Sequence, residues 1–546
     1  MLDLMVAAVI LLPMAAAILV AFNLLLVWRF SESTIQRTVV GSIAGAAVAS
    51  LFLLAYWCSQ PVARSIHLYR WIDSGEFSVN VDLRWDGLSC VMAVLVSGLS
   101  LAAARFSVAY LHAERRFGRF FMILALFVAA MGFVALADNY LVLFLGWELA
   151  GLCSYLLIAF YDNRPKPARN GLRAFVTNRI GDAAFLAGIF VLHGSTGSVS
   201  LTAVPADPHK ALIVALCLLT AAAAKSAQLP FTGWLPKAME GPTPSSALFY
   251  GGVMVSAGVF LLLRSLPLFV AAPPALAAAA LVGTVTALYA TALGCVQTEI
   301  KARLGYSSVA QLGLMFLAIG LGEPGLALFH MLAHAVLKMH LFLTAPSILH
   351  HMRTHPDRSA QAGWRWTWLP AAALLGALAL GWIVLARWGF QKLCPDNLGL
   401  APPKLVWLAP VLLVLFTGLL NASSRLPALY HRARLGLGLE RWTDRFVLAP
   451  FGRLSLGMWR FDLFLERTLA ITPAPNEGLA YWMRRLIDVV EGTERRILGP
   501  ALGIGFPRAA NWLGSLAARI EPVLALPLVI LALVGLGALG LLGGGL

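Results

Sequence analysis

Six ionisable side chains fall inside, or at the edge of, stretches apolar enough to cross a bilayer. Glu148, in "LVLFLGWELAGLCSYLLIAFY", has apolar residues for two helical turns on either side. A carboxyl placed there either pairs structurally with a basic residue on a neighbouring helix or handles a proton. Lys225 follows four alanines in "AAAAKSAQLPFTGWLPKAMEGPTP". Loss of water favours the neutral form of a charged group, so a lysine there can exchange its proton under cellular conditions. Pro230, five residues on, removes a backbone donor and predicts a broken helix. In a membrane, such a break is tolerated where protein shields it or where it lines a wet cavity. In "FHMLAHAVLKMHLFL", His330, His334 and Lys338 recur every four residues and share one helical face. A metal reading of the two histidines lacks the following glutamate and a nearby third ligand. A stripe of imidazole and amine groups instead suits a proton relay, because histidine titrates near neutrality and exchanges protons at either ring nitrogen. Lys392, in "LARWGFQKLCP", sits at the end of a span, where a snorkelling interfacial lysine, like Arg387, is the alternative reading.

The elements that position these residues follow from composition. The chain has 546 residues, 60% hydrophobic and 12% charged, with mean hydropathy +0.80, too little polar surface to coat soluble domains of that length. Apolar runs of about 20 residues, the length that crosses a bilayer as a helix, are expected near 4–28, 38–58, 89–111, 120–137, 139–160, 175–195, 209–229, 245–265, 269–296, 305–322, 326–349, 367–390, 404–423 and 521–544. These runs do not alternate, which excludes strands and barrels as the spanning elements. The fold class expected is an all-α polytopic membrane protein of about 14 transmembrane helices. Glu148, Lys225, His334, Lys338 and Lys392 then fall on successive or near-successive spans, a lateral string of protonatable groups.

If the spans alternate, Arg115, Arg116 and Arg119, then Arg164, Lys166, Arg169 and Arg173, then Lys301 and Arg303, then Arg353 and Arg358 all lie on one side. The positive-inside rule makes that side cytoplasmic and the N-terminus external. The opening "MLDLM" carries no basic n-region, so the first run is expected as a retained helix. The net charge of +15 is mostly this topological excess, and no basic soluble face suggests nucleic acid. The six cysteines (Cys58, Cys90, Cys153, Cys217, Cys295, Cys394) form no CxxC pair and read as small apolar residues. "GLGALG" at 535–540 matches a dinucleotide-binding pattern but lies in an apolar run with no preceding strand, so helix packing explains it.

The segments "LFLGWELAGLCSYLLIAFYDNRP", "AFVTNRIGDAAFLAGIF", "KSAQLPFTGWLPKAMEGPTPSSAL", "EIKARLGYSSVAQLGLMFLAIGLG" and "FHMLAHAVLKMHLFLTAPSILH" closely resemble the antiporter-like subunit 5 (subunit L) family of NADH:quinone oxidoreductase, complex I. They also resemble the related subunits of Mrp-type antiporters and membrane-bound hydrogenases. The resemblance implies two inverted five-helix repeats, about 120–265 and 269–423, each with a broken helix. The implied organisation is N-terminal helices with an external loop (1–118), two antiporter-like repeats (119–267 and 268–423), a cytoplasmic-side amphipathic arm (424–520) and a terminal helix (521–546). It also implies that Glu148 and Lys225 form the pair whose approach and separation govern the lysine's proton. Arg179 and Asp182 would form an ion pair, His330, His334 and Lys338 the central relay, and Lys392 the terminal lysine. Two positions depart from the family pattern: Tyr250 replaces a usual histidine, and Lys237 stands where an acid is usual.

The function implied is proton translocation by a membrane subunit that carries out no redox chemistry itself. No cofactor is expected: NADH and quinone would be handled by other subunits of a multi-subunit complex in the lipid bilayer, in a bacterial plasma membrane. Rival readings are an Mrp-type sodium/proton antiporter subunit, an energy-coupling subunit for inorganic carbon uptake, and a structural subunit that has lost transport. In 434–520 the run "NEGLAYWMRRLIDVVEGTERRIL" places Leu479, Trp482, Met483, Leu486, Val490 and Ile497 at helical spacing, an amphipathic helix for an interface. Pro473, Pro475, Pro500 and Pro507 should break that arm into segments.

Overall fold

A computed structural model describes residues 2–25, 30–74, 77–161, 163–297, 299–354 and 389–390. Lys392, the expected spans at 404–423 and 521–544, nearly all of that at 367–390, and the amphipathic arm lie outside the described residues. Within them the chain is an integral membrane protein with eleven helices long and apolar enough to span. They are α1 (Leu2–Leu25), α2 (Glu32–Ser59), α3 (Gly87–Tyr110), α4 (Phe117–Leu136), α5 (Tyr140–Ile158), α6 (Pro165–Thr196), α7 (Pro208–Lys225), the composite segment Thr243–Arg264, α11 (Pro273–Val296), α12 (Ile300–Gly320) and α13 (Pro324–Thr354). Each overlaps an expected span.

Local chemistry sets several starts. Asp86, Asn139 and Asp207 cap α3, α5 and α7 by accepting from the backbone N–H groups of Ser89, Val142 and His209, which satisfies donors that the first helical turn leaves unpaired. Packing then sorts the helices. The whole of Thr243–Arg264 and most of α4 are buried, whereas α1, α6 and α11 present exposed Leu11, Phe22, Phe190 and Leu281, as helices at a lipid boundary do.

Between α2 and α3, where a loop is expected, runs an antiparallel hairpin of β1 (Arg64–Ser74) and β2 (Phe77–Trp85), paired from Arg64 opposite Trp85 to Ser74 opposite Phe77 with register shifts between His67 and Tyr69 and between Arg70 and Ile72. Val79, Val81, Leu83 and Trp85 are buried on one face of β2, the period-2 pattern of a half-buried strand. The hairpin is tied to the connection before α5 by a bridge from Leu83 to Ala137 and by Asn139 Nδ2 donating to Asn80 O (2.9 Å), and Asn139 in turn bridges to Ser200. At the opposite end of the bundle lie the arginine-rich connections, where Arg116 Nη1 donates to the Phe160 carbonyl (2.8 Å) and Lys166 Nζ meets Glu240 Oε1 (2.8 Å).

The break after α7 is fully built. Helix α7 ends at Lys225, and Gln228 N–H donates to Ala223 O (2.7 Å) while Ala227 N–H donates to Ala224 O (3.3 Å). That is a left-handed helix terminus with Ala227 at φ 51°. The next donor, Leu229 N–H, reaches Thr286 Oγ1 on α11 (3.0 Å), and the freed Ala224 carbonyl also accepts from Trp234 Nε1 (3.0 Å). Protein groups thus replace the water that a broken helix would otherwise need. Two short 3₁₀ turns, Thr232–Trp234 and Pro236–Ala238, carry the chain onward. It re-enters as α8 (Thr243–Ser246), a π turn (Ala247–Gly252) and α9 (Ser256–Arg264), and the short α10 (Leu266–Ala271) leads on to α11.

Candidate functional site

Four charged side chains from three helices meet where α7 breaks. Gly181 on α6 makes this possible: a Cβ there would collide with the Ala224 side chain, so only glycine lets α6 lie this close to the end of α7. Lys225 is 1% exposed. Its Nζ donates to the carbonyl of Trp147 (2.9 Å) and lies 4.8 Å from the centre of the same indole, so α5 supplies both an acceptor and a cation–π face. The indole Nε1 in turn donates to Asp182 Oδ1 (2.7 Å).

Glu148 pairs with the Arg179 guanidinium, which also lies 3.3 Å from Asp182 Oδ2. Arg179 thus bridges two carboxylates: the expected Arg179–Asp182 pair is present, and Glu148 joins it. Lys225 and Arg179 are neighbours, 3.3 and 3.6 Å from one point above Gly151. Two cations and two anions share the cluster, so their charges balance without bulk ions. In this arrangement Glu148 is engaged by Arg179, and Lys225 is held by Trp147.

A small cavity opens beside Lys225, lined by Gly151, Ser154, Asn178, Arg179 and Met254 among others, with about 10 Å³ of space for the centre of a water molecule. That is the size of a single water site. From its wall, Ser154 Oγ lies 3.2 Å from the Tyr250 hydroxyl on the π turn. Tyr250 stacks edge-on against Trp234, ring centres 6.0 Å apart.

The stripe on α13 lies beyond that turn, whose Gly251 packs against Lys338: a Cβ on Gly251 would be 3.4 Å from Lys338 Cβ. His334 and Lys338 are buried and His330 partly so. His330 Nε2 meets Gln311 Oε1 (2.8 Å), the His330 and His334 rings are 6.4 Å apart, and Lys338 Nζ donates to Leu304 O (3.1 Å). The structure therefore brings Glu148, Lys225, Arg179 and Asp182 together, keeps His330, His334 and Lys338 as a separate row, and interposes the π turn. Sequence reasoning missed Trp147, Ser154 and Asn178. Tryptophan, serine and asparagine in apolar helices carry no positional signal, and only the crossing of α5, α6 and α7 aims them at one point.

Residues 137–383 match the family described as NADH:quinone oxidoreductase/Mrp antiporter, and residues 71–121 match the N-terminal family of complex I chain 5. The chain is similar to the NADH-quinone oxidoreductase subunit L of Escherichia coli, 38% identical over 359 residues that make up 64% of this chain and 58% of that one. It is also similar to the subunit L of Pseudomonas aeruginosa, 36% identical over 70% of this chain and 63% of that one, and to that of Mycobacterium tuberculosis, 39% identical over 59% and 53%. The chain thus spans between 53% and 63% of the length of these relatives. Among solved structures, the Mrp complex from a Dietzia species shares the fold at TM-score 0.57 and 24% identity, covering 97% of this chain and 63% of that one. The membrane-bound sulfane sulfur reductase, an archaeal respiratory membrane complex, does so at TM-score 0.57 and 19% identity, covering 80% and 99%. Residues 137–383 thus belong to the NADH:quinone oxidoreductase/Mrp antiporter family of membrane segments, preceded at 71–121 by the N-terminal segment of complex I chain 5.

Proposed function

We propose that this chain is a proton-translocating membrane subunit of a respiratory NADH:quinone oxidoreductase-like complex. It lies in a bacterial plasma membrane with its N-terminus outside, and neighbouring subunits handle NADH and quinone. The observation that carries this reading is Lys225, buried at a helix break with a charge-balanced set of Glu148, Arg179 and Asp182 around it. A carboxylate about 4 Å from an ammonium is worth about 4 kcal/mol at an effective dielectric of 20. Transfer of Glu148 from Arg179 to Lys225 would hold the lysine's proton, and return to Arg179 would release it. Redox work elsewhere in the complex would drive that exchange. The proton would then pass to the His334–Lys338 row and on toward Lys392. The domains proposed are the two antiporter-like repeats, 119–267 and 268–423, followed by the arm at 424–520 that docks on a partner subunit.

Lys225→Ala and Glu148→Ala each test this in NADH-energised membrane vesicles. Proton uptake should fall by roughly two orders of magnitude, the scale of losing a positioned proton-transfer group, with the protein still inserted. Uptake at the wild-type rate in both variants would refute the mechanism. The likeness to an Mrp complex over 97% of this chain favours a second reading, a sodium/proton antiporter subunit. Proton flux that depends on sodium in the same vesicles would select it.

A further inference from the structure

We propose that Thr286 is a positioning residue for Lys225: by accepting from Leu229 N–H, its hydroxyl oxygen fixes where α7 ends and therefore where the lysine meets its partners. The inference rests on the proton-translocating reading and adds to it a residue of α11, outside the cluster of Glu148, Arg179 and Asp182. Lys225 is the last residue of α7, so the height and rotation of the final turn set what its side chain reaches. The bonds from Gln228 N–H to Ala223 O and from Ala227 N–H to Ala224 O close that turn with Ala227 in the left-handed region. Glycine takes this conformation freely, whereas an alanine carries strain in it. The terminus therefore needs support from outside its own backbone. Leu229 is the first residue beyond those bonds, and the proline that follows it disfavours a helical conformation there. Its N–H is thereby turned away from the helix, and the acceptor it finds is Thr286 Oγ1 at 3.0 Å.

Thr286 differs from the other threonines of α11. Thr284 and Thr291 are partly exposed and donate to Ala280 O and Ala287 O, one turn back on their own helix (2.7 Å each). Thr286 is fully buried, and its oxygen accepts from the connection after α7. A hydroxyl in that position is costly unless it is used. The neighbouring contacts hold side chains of the same connection: Ser226 Oγ donates to Val255 O (2.7 Å), and Gln228 Nε2 donates to Ser226 O (2.9 Å) and lies 3.4 Å from Val309 O on α12. The Thr286 bond acts on the main chain itself, four residues from Lys225. Without it, a main-chain donor loses its acceptor at the point where the helix is brought to an end. The last turn can then rewind and carry the lysine away from the Trp147 carbonyl and from Arg179. The ionisable groups within electrostatic reach of Lys225 are Glu148 and Cys153 on α5 and Arg179 and Asp182 on α6. Moving the lysine among them changes the pH at which it exchanges its proton, whereas a packing defect beside α11 leaves that pH in place.

The test isolates one oxygen with two matched pairs. Valine in place of threonine exchanges the hydroxyl for a methyl group, and alanine in place of serine removes the hydroxyl alone. Thr286→Val, Thr286→Ser and Thr286→Ala are made in the full chain within its membrane complex, with Lys225→Ala in parallel. Proton uptake by NADH-energised vesicles is normalised to the assembled chain and followed across neutral and alkaline pH. Thr286→Val and Thr286→Ala should each lower uptake about tenfold or more, toward the roughly hundredfold loss that a misplacement of about 1 Å can bring. Both should also move the midpoint of the pH profile, whereas Thr286→Ser should keep the wild-type rate within a small factor and leave the midpoint in place. Wild-type uptake in Thr286→Val overturns the proposal. So does an equal fall in Thr286→Ser, or a fall with an unmoved midpoint, either of which assigns the residue to packing. If Thr286→Val does not assemble, the serine and alanine variants decide by the same criteria. A normal Thr286→Val beside an inactive Lys225→Ala refutes the positioning role alone. Normal uptake in Lys225→Ala refutes the proton-translocating reading itself.

Discussion

Two buried charge clusters among the described residues are built on opposite principles. At the hairpin end, Asp86 Oδ2 is held by Arg264 Nη1 (2.6 Å) and Arg84 Nε (2.8 Å), and its Oδ1 accepts from Ser89 N–H (2.9 Å). Arg264 also reaches Ser89 Oγ, and Arg84 approaches Asp138 at 3.6 Å. Burial alone would push the Asp86 carboxyl up, but the guanidiniums of Arg264 and Arg84 and the Ser89 N–H hold it well below the usual carboxylate range. Its partners saturate it, so it is fixed as an anion and fastens the hairpin, α3 and α9 together. At the break of α7, by contrast, Glu148 has Arg179 on one side and Lys225 within electrostatic reach, and those two cations line a cavity at a helix end. Burial of charge by itself therefore does not mark a transport site. Under the proposed reading, the distinguishing feature is a charge with two alternative partners.

The comparison breaks most sharply at Asp86. Asp86→Asn strips Arg264 of this carboxylate and leaves Arg84 only Asp138, and should cost about 3–5 kcal/mol of stability, the scale of breaking a buried ion pair from one side. A lower thermal midpoint in detergent, with uptake per assembled molecule unchanged, is the expected pattern. Loss of uptake at normal stability would place Asp86 in the proton path instead. The acid limb sharpens the same contrast. Because the folded carboxyl is depressed, its contribution is fully present above the unfolded pKa of about 3.9 and is lost as pH falls through the folded value. Wild-type stability should therefore decline below about pH 4 more steeply than that of Asp86→Asn, as read by thermal unfolding across acid pH.

Trp147→Phe is the intermediate case. It removes the indole donor to Asp182 but keeps a ring facing Lys225, and it should cost about 1.5–3 kcal/mol, the range for a hydrogen bond to a charged group. Equal stability of variant and wild type would mean that Asp182 finds its second donor elsewhere. The smallest effect is expected at His334→Ala. His330 and Lys338 flank it by one turn on either side, so a several-fold fall in uptake is expected, well short of that in Lys225→Ala. A complete block in His334→Ala alongside a mild Lys225→Ala would reverse the ranking of the two rows.

The sequence by itself determined the spans, because apolar runs of bilayer length are a local property, and every described spanning helix overlaps one. It also pointed to Glu148, Lys225 and the α13 stripe, since an ionisable group in such a run is conspicuous wherever its partners lie. The hairpin at Arg64–Trp85 was legible only as alternation in Val79–Trp85, a signal that a search for spans passes over. Which acid meets which base was decided by tertiary structure alone. The capture of Glu148 by Arg179, the cradle of Trp147 around Lys225, the anchoring of Leu229 N–H by Thr286 and the Ser154–Tyr250 contact each join residues from different elements of the chain. Their distances depend on close approaches such as Gly181 against Ala224. Hydropathy is summed along the chain, whereas pairing depends on how helices cross, and nothing local to Trp147, Ser154 or Thr286 encodes the crossing.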